Sequence, residues 1–134
     1  MRKMVGLNQV LLSGLLMSVA VLAQAQGPRW IYLGEANVDG NVDHDNIVVG
    51  RDEGSFRAIQ LRVEIAAIDF DRVVVHYSNG DPDRIPIRGR IRAGGESRVI
   101  DLQGNRRDLR SVEIWYAKEN FGSRRPKVRL YGRR

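Results

Sequence analysis

The chain has 134 residues, 22 lysines and arginines against 16 aspartates and glutamates, no cysteine, and 43% apolar residues. That length holds one domain and excludes a multidomain enzyme. The apolar content is too high for intrinsic disorder. Without cysteine the chain has no disulfide framework, thiolate metal cluster, cysteine nucleophile or lipid-modified cysteine.

The first segment carries Arg2 and Lys3, then an apolar run from Val10 to Leu22, then Ala23-Gln24-Ala25, with small residues at the two positions a signal peptidase reads. As a helix that run would span only about 20 Å, short of the roughly 30 Å hydrocarbon core. Residues 1–25 therefore read as a secretory signal peptide cut after Ala25, not a membrane anchor. The expectation is a periplasmic or secreted protein with no transmembrane segment in its mature form. Cleavage removes Arg2 and Lys3, leaving a domain over 26–134 of 109 residues and net charge +4. A domain of this size buries roughly two thirds of its unfolded surface, enough for one core without staples. Its positive charge is nearly all arginine, 18 residues beside Lys118 and Lys127 alone.

Beyond Gln26 no window sustains a helical stripe, while alternation with a period of two recurs. The predicted strands are Trp30–Leu33, Asn46–Val49, Arg57–Ile65, Phe70–Tyr77, Arg84–Arg92, Arg98–Leu102, Leu109–Tyr116 and Lys127–Tyr131. Asp39-Gly40, Asn79-Gly80-Asp81-Pro82, Gly94-Gly95, Gly104-Asn105 and Gly122 supply the turns between them. Only Glu64–Phe70 competes as a brief helical turn. Short strands punctuated by glycine predict an all-β fold, an antiparallel β-sandwich or jelly-roll-like single domain.

Within the strands, Val73, Val75 and Tyr77, and again Val112, Ile114 and Tyr116, share an apolar parity that should point inward. Arg72, Val74, His76, Glu113 and Trp115 take the outward parity, where function could sit. An echo also runs through the chain. Phe56–Leu61 resembles Ser97–Leu102, and Arg72–Tyr77 resembles Arg110–Tyr116 once one residue is skipped. The echo implies two similar strand pairs whose apolar faces close on each other.

Tyr32-Leu33-Gly34, Phe56-Arg57-Ala58-Ile59-Gln60-Leu61, Tyr77-Ser78-Asn79-Gly80 and Arg98-Val99-Ile100-Asp101-Leu102, behind a signal peptide, give the chain a resemblance. It is similar to a family of small bacterial periplasmic proteins, domain of unknown function 2541, from roughly Trp30 to the C-terminus. The cysteines that some members carry are absent here. The resemblance implies a periplasmic β domain with no assigned activity, and no catalytic residue carries over from it.

No constellation for catalysis stands out. The serines of the mature chain lie outside any Gly-x-Ser-x-Gly elbow. The two histidines, His44 in a polar turn and His76 on a strand, lack zinc-ligand spacing. The pairs Asp69/Asp71 and Asp81/Asp83 flank turns, where aspartate is favoured for backbone hydrogen bonding. Asp39, Asn41, Asp43 and Asp45 place oxygens at every second position. His44 and Gly50 occupy the positions where an EF-hand needs glycine and glutamate, so the loop reads as an Asx turn or a loose calcium loop. The reading is therefore a non-enzymatic protein with no cofactor and no assigned metal site.

The binding candidates are Arg84, Arg88, Arg90 and Arg92, which share one parity of Arg84–Arg92 while Ile85, Ile87 and Ile91 share the other. Guanidinium forks suit carboxylate and phosphate oxygens. The same residues also suit an edge strand guarded by charge. Trp30, Tyr32 and Trp115 are candidates to stack on sugar rings. The expected partners are an anionic polysaccharide or lipopolysaccharide or, in the alternative, an envelope protein docking through a strand edge. A charge of +4 on a secreted domain does not point to nucleic acid.

Overall fold

In the computed structural model, residues 29–134 are described, and the alternating segments pair into antiparallel strands. In chain order these are β1 (Ile31–Asn37), β2 (His44–Val48), β3 (Ser55–Phe56), β4 (Ala58–Glu64), β5 (Ile68–Tyr77), β6 (Asp83–Ile91), β7 (Ile100–Asp101), β8 (Arg107–Tyr116) and β9 (Lys127–Arg133). One sheet runs β1-β9-β4-β7, the other β2-β8-β5-β6, and β3 prolongs the β2 edge along β8. The all-β, two-sheet fold is the one the alternation predicts. The proposed signal peptide lies outside the described residues.

The inward parity holds. Val73, Val75, Tyr77, Val112, Ile114 and Tyr116 are all buried, facing Leu33, Ile59, Leu61, Val63, Val128 and Leu130 of the other sheet. Equivalent residues of the sequence echo meet across strand pairs, Ile59 with Ile100 and Val74 with Glu113. No helical turn forms over Glu64–Phe70. The chain bends at Ile65–Ala66, with Ile65 at φ 77°, and enters β5 directly. The helical turn that does form is a short 3-10 segment at Arg51–Glu53, where no apolar stripe marks it.

Two local features position the surface described below. Phe70 and Val73 are both buried although three residues apart, because Asp71 is an extra residue relative to β8. Phe70 pairs with Tyr116, and Arg72 pairs with Trp115. The bulge flips the alternation and sets Arg72 on the outer face beside Trp115. The second feature is the way the sandwich closes. Along one side β1 approaches β2 closely enough that a Cβ on Gly34 would lie 2.9 Å from Ile47 Cγ2. Along the other, the edge strand β6 faces residues 96–98, and Arg98 Nη2 donates to the Pro86 carbonyl at 3.1 Å.

Candidate functional site

Strand register dictates what stands together on the outer face of the β2-β8-β5-β6 sheet. One row across the strands reads His44, Trp115, Arg72, Pro86; the next reads Asn46, Glu113, Val74, Arg84; a third reads Val48, Ser111, His76. In the first row the His44 and Trp115 rings stack, with centroids 4.3 Å apart and planes 16° from parallel. From the strand on the other side of β8, the Arg72 guanidinium lies 4.1 Å from the Trp115 ring centre. His44 Nδ1 sits 2.9 Å from Asp43 Oδ1, and that hydrogen bond, ahead of any charge effect, holds the Asp43 carboxyl below its usual range. The three stacked groups form a ridge.

On one side of the ridge is a depression of about 480 Å³, lined by both histidines with Asn46, Val48, Arg110, Ser111 and Glu113. His76 Nε2 lies 2.7 Å from Glu113 Oε2, with both side chains about three quarters covered. Nucleophilic catalysis needs a hydroxyl hydrogen-bonded to a base. Ser111 faces His76 in register but makes no hydrogen bond to it among the described residues, where His76 is engaged by Glu113.

Toward β6 a second depression, of about 430 Å³, is lined by Asp71, Arg72, Arg84, Ile85, Pro86 and Arg88. Arg72 pairs with Asp71. Among the described residues Arg84 and Arg88 pair with no carboxylate, and both are exposed. Arg90 is held by Asp69 at 2.9 Å and Glu119 at 3.6 Å. Arg92 lies past the end of β6, in a turn closed by the Gly95 N–H donating to its carbonyl. Ile85, Ile87 and Ile91 pack on the core, so the alternation expected of this strand is kept.

The remaining candidates lie elsewhere. Trp30 and Tyr32 sit on the outer face of the opposite sheet, with the Arg133 guanidinium 5.1 Å from the Trp30 ring centre. The Tyr32 hydroxyl donates to Glu35 Oε1 at 2.8 Å, which is the main reason its phenol is raised and the Glu35 carboxyl lowered. Glu35 also meets Lys127 and Arg129, and Arg129 meets Glu64, so these four side chains offset one another's charge. The seven residues picked from sequence are thus divided between two opposite faces. Trp115 does not fit the sugar-stacking role expected of it, because His44 and Arg72 already occupy its ring. Sequence reasoning missed Asn46 and the meeting of the two histidines. Outward parity marked the β5 and β8 residues, but only the register of β2 against β8 brings His44 and Asn46 to them.

The loop before and into β2 uses its oxygens internally. Asp39 accepts from the Asn41 N–H at 2.8 Å, an Asx turn, and Asp45 accepts from the Tyr116 hydroxyl.

Among solved structures, one of Pseudomonas aeruginosa AlgX, from work titled a structural and functional characterization, is similar over 81% of this chain and 26% of that one. The identity is 12% and the TM-score 0.43, and the chain spans about a quarter of that protein's length. No curated protein matches the sequence. The family described as Domain of unknown function (DUF2541) matches residues 10–132, nearly the whole sequence, and the chain belongs to it.

Proposed function

We propose that this protein is a periplasmic or secreted, non-enzymatic module that binds anionic envelope polymers on the outer face of its β2-β8-β5-β6 sheet. The observation that carries this reading is the depression beside β6, where Arg84 and Arg88 stand exposed next to Arg72, without carboxylate partners among the described residues. A guanidinium presents a fork of donors that matches the oxygens of a carboxylate or phosphate. Lipopolysaccharide and acidic polysaccharides both supply such groups.

The alternative, docking of an envelope protein along a strand edge, fits β6 poorly. Pro86 has no N–H to offer, and its carbonyl is already taken by Arg98. A strand added there would find the edge charged and partly capped.

The test is retention on immobilised heparin or lipopolysaccharide. The double variant Arg84→Gln/Arg88→Gln should lose retention, while Arg124→Gln/Arg125→Gln, which removes equal charge from another exposed segment, should keep most of it. Wild-type retention should also fall steeply with ionic strength, as for contacts made by several exposed charges. Equal weakening by both doubles would reduce the effect to net charge. No weakening by either would leave the arginines as edge guards and overturn the proposal.

A further inference from the structure

The depression lined by the two histidines differs in chemistry from the arginine strip. A chain of phosphates calls for donors alone, but here Glu113 presents a carboxylate whose Oε1 makes no hydrogen bond among the described residues. The side chains of Asn46, Arg110 and Ser111 likewise make none among them. Asn46 and Ser111 can each donate and accept, while Arg110 only donates. Beside them Val48 lies 70% exposed, an apolar surface that no neighbour covers. Alternating donors and acceptors around an apolar patch match the hydroxyls and C–H face of a sugar ring. They do not match a bare polyanion, which Glu113 would repel.

Register then ties this depression to the arginines. Glu113, Val74 and Arg84 form one row across β8, β5 and β6. Two strand spacings of about 4.8 Å place the Glu113 and Arg84 backbones roughly 10 Å apart, on the order of a disaccharide. Val74 lies between them, on the outer face yet only 5% exposed, as an apolar floor.

We infer that the polymer bound on this face is an acidic polysaccharide, with a sugar ring seated against Asn46, Glu113 and Val48 and the anionic group of a neighbouring ring on Arg84 and Arg88. The inference rests on the proposed anion-binding function and goes beyond it by naming the substrate class and a second subsite.

Two probes separate the two claims. Polygalacturonate carries carboxylates on sugar rings, and inorganic polyphosphate carries charge with no ring. Binding of each would be measured by calorimetry at low salt. The wild type should bind both. Asn46→Ala and Glu113→Gln should each weaken polygalacturonate roughly two- to tenfold, the value of a hydrogen bond or so, and leave polyphosphate unweakened. Arg84→Gln/Arg88→Gln should weaken both. Asn46 is exposed, sits on an edge strand and makes no side-chain bond among the described residues. Its variant therefore decides the question even if Glu113→Gln, which disturbs the His76 pair, lowers the melting temperature. Unchanged polygalacturonate binding by Asn46→Ala, or equal weakening of both polymers, removes the sugar subsite. A wild type that binds polyphosphate alone overturns this inference and leaves the anion-binding function standing. One that binds neither polymer overturns both.

Discussion

Tyr116 shows how a single side chain joins the core to the chemistry of solvent. Its ring is 3% exposed and its hydroxyl donates to Asp45. Burial first, and the Asp45 contact second, push the phenol well above its ordinary value. Burial raises Tyr77 as well. The unfolded chain releases these protons once pH passes about 10, whereas the folded chain keeps them. The unfolded state then binds fewer protons, so stability falls as pH rises above that point. Tyr116→Phe should lower neutral-pH stability by about 1 kcal/mol through the lost hydrogen bond. It should also make the alkaline decline shallower, leaving the shares of Tyr77 and Tyr32. Urea midpoints compared from about pH 8 to about pH 11 would check this; identical slopes in the two proteins would mean Tyr116 ionises as freely folded as unfolded.

At the scale of elements, β9 runs through the middle of its sheet between β1 and β4, and Gly132 lets it pass beneath Phe56. A Cβ there would lie 2.6 Å from Phe56 Cδ1 and 2.8 Å from Leu33 Cδ1. Both contacts are with rigid or buried groups, so Gly132→Ala should cost about 1–3 kcal/mol, read as a lower denaturation midpoint. A midpoint equal to the wild type would show that Phe56 swings aside at no cost. Strands of this kind were legible because residues such as Val73, Val75, Val112 and Ile114 alternate cleanly, and a period of two leaves little choice of face. What was not legible is register. Asp71 looks like any other turn-flanking aspartate until its neighbours are seen to pair with Tyr116 and Trp115. The predicted strand Arg98–Leu102 shrinks to Ile100–Asp101, because Ser97 turns its hydroxyl to the Leu61 N–H and Arg98 reaches across to Pro86. The arginines of β6 could be placed on one face from spacing alone. That Arg90 is neutralised while Arg84 and Arg88 are not depends on Asp69 and Glu119, which are distant in sequence.

For the whole molecule the contrast between its two broad faces matters most. One sheet spends its charges on itself through Glu35, Lys127, Arg129 and Glu64, and the other leaves arginines open beside a polar depression. At the β6 side of the sandwich, Pro86 and Arg98 together blunt the strand edge. The double variant Pro86→Val/Arg98→Ala restores an N–H and frees a carbonyl on that edge. Sedimentation should then show concentration-dependent association beyond that of the wild type, with the fold intact by circular dichroism. Matching profiles for variant and wild type would show that the other β6 arginines suffice as guards.

The ridge at Trp115 has a spectroscopic consequence. Its indole is stacked against the His44 imidazole, which lines the histidine depression. The only other indole, Trp30, lies on the far sheet beside the Arg133 guanidinium. The emission of the unlabelled protein therefore carries one component that originates at the wall of the histidine depression. A ligand seated there would change the intensity of that component, so the protein reports on its own occupancy.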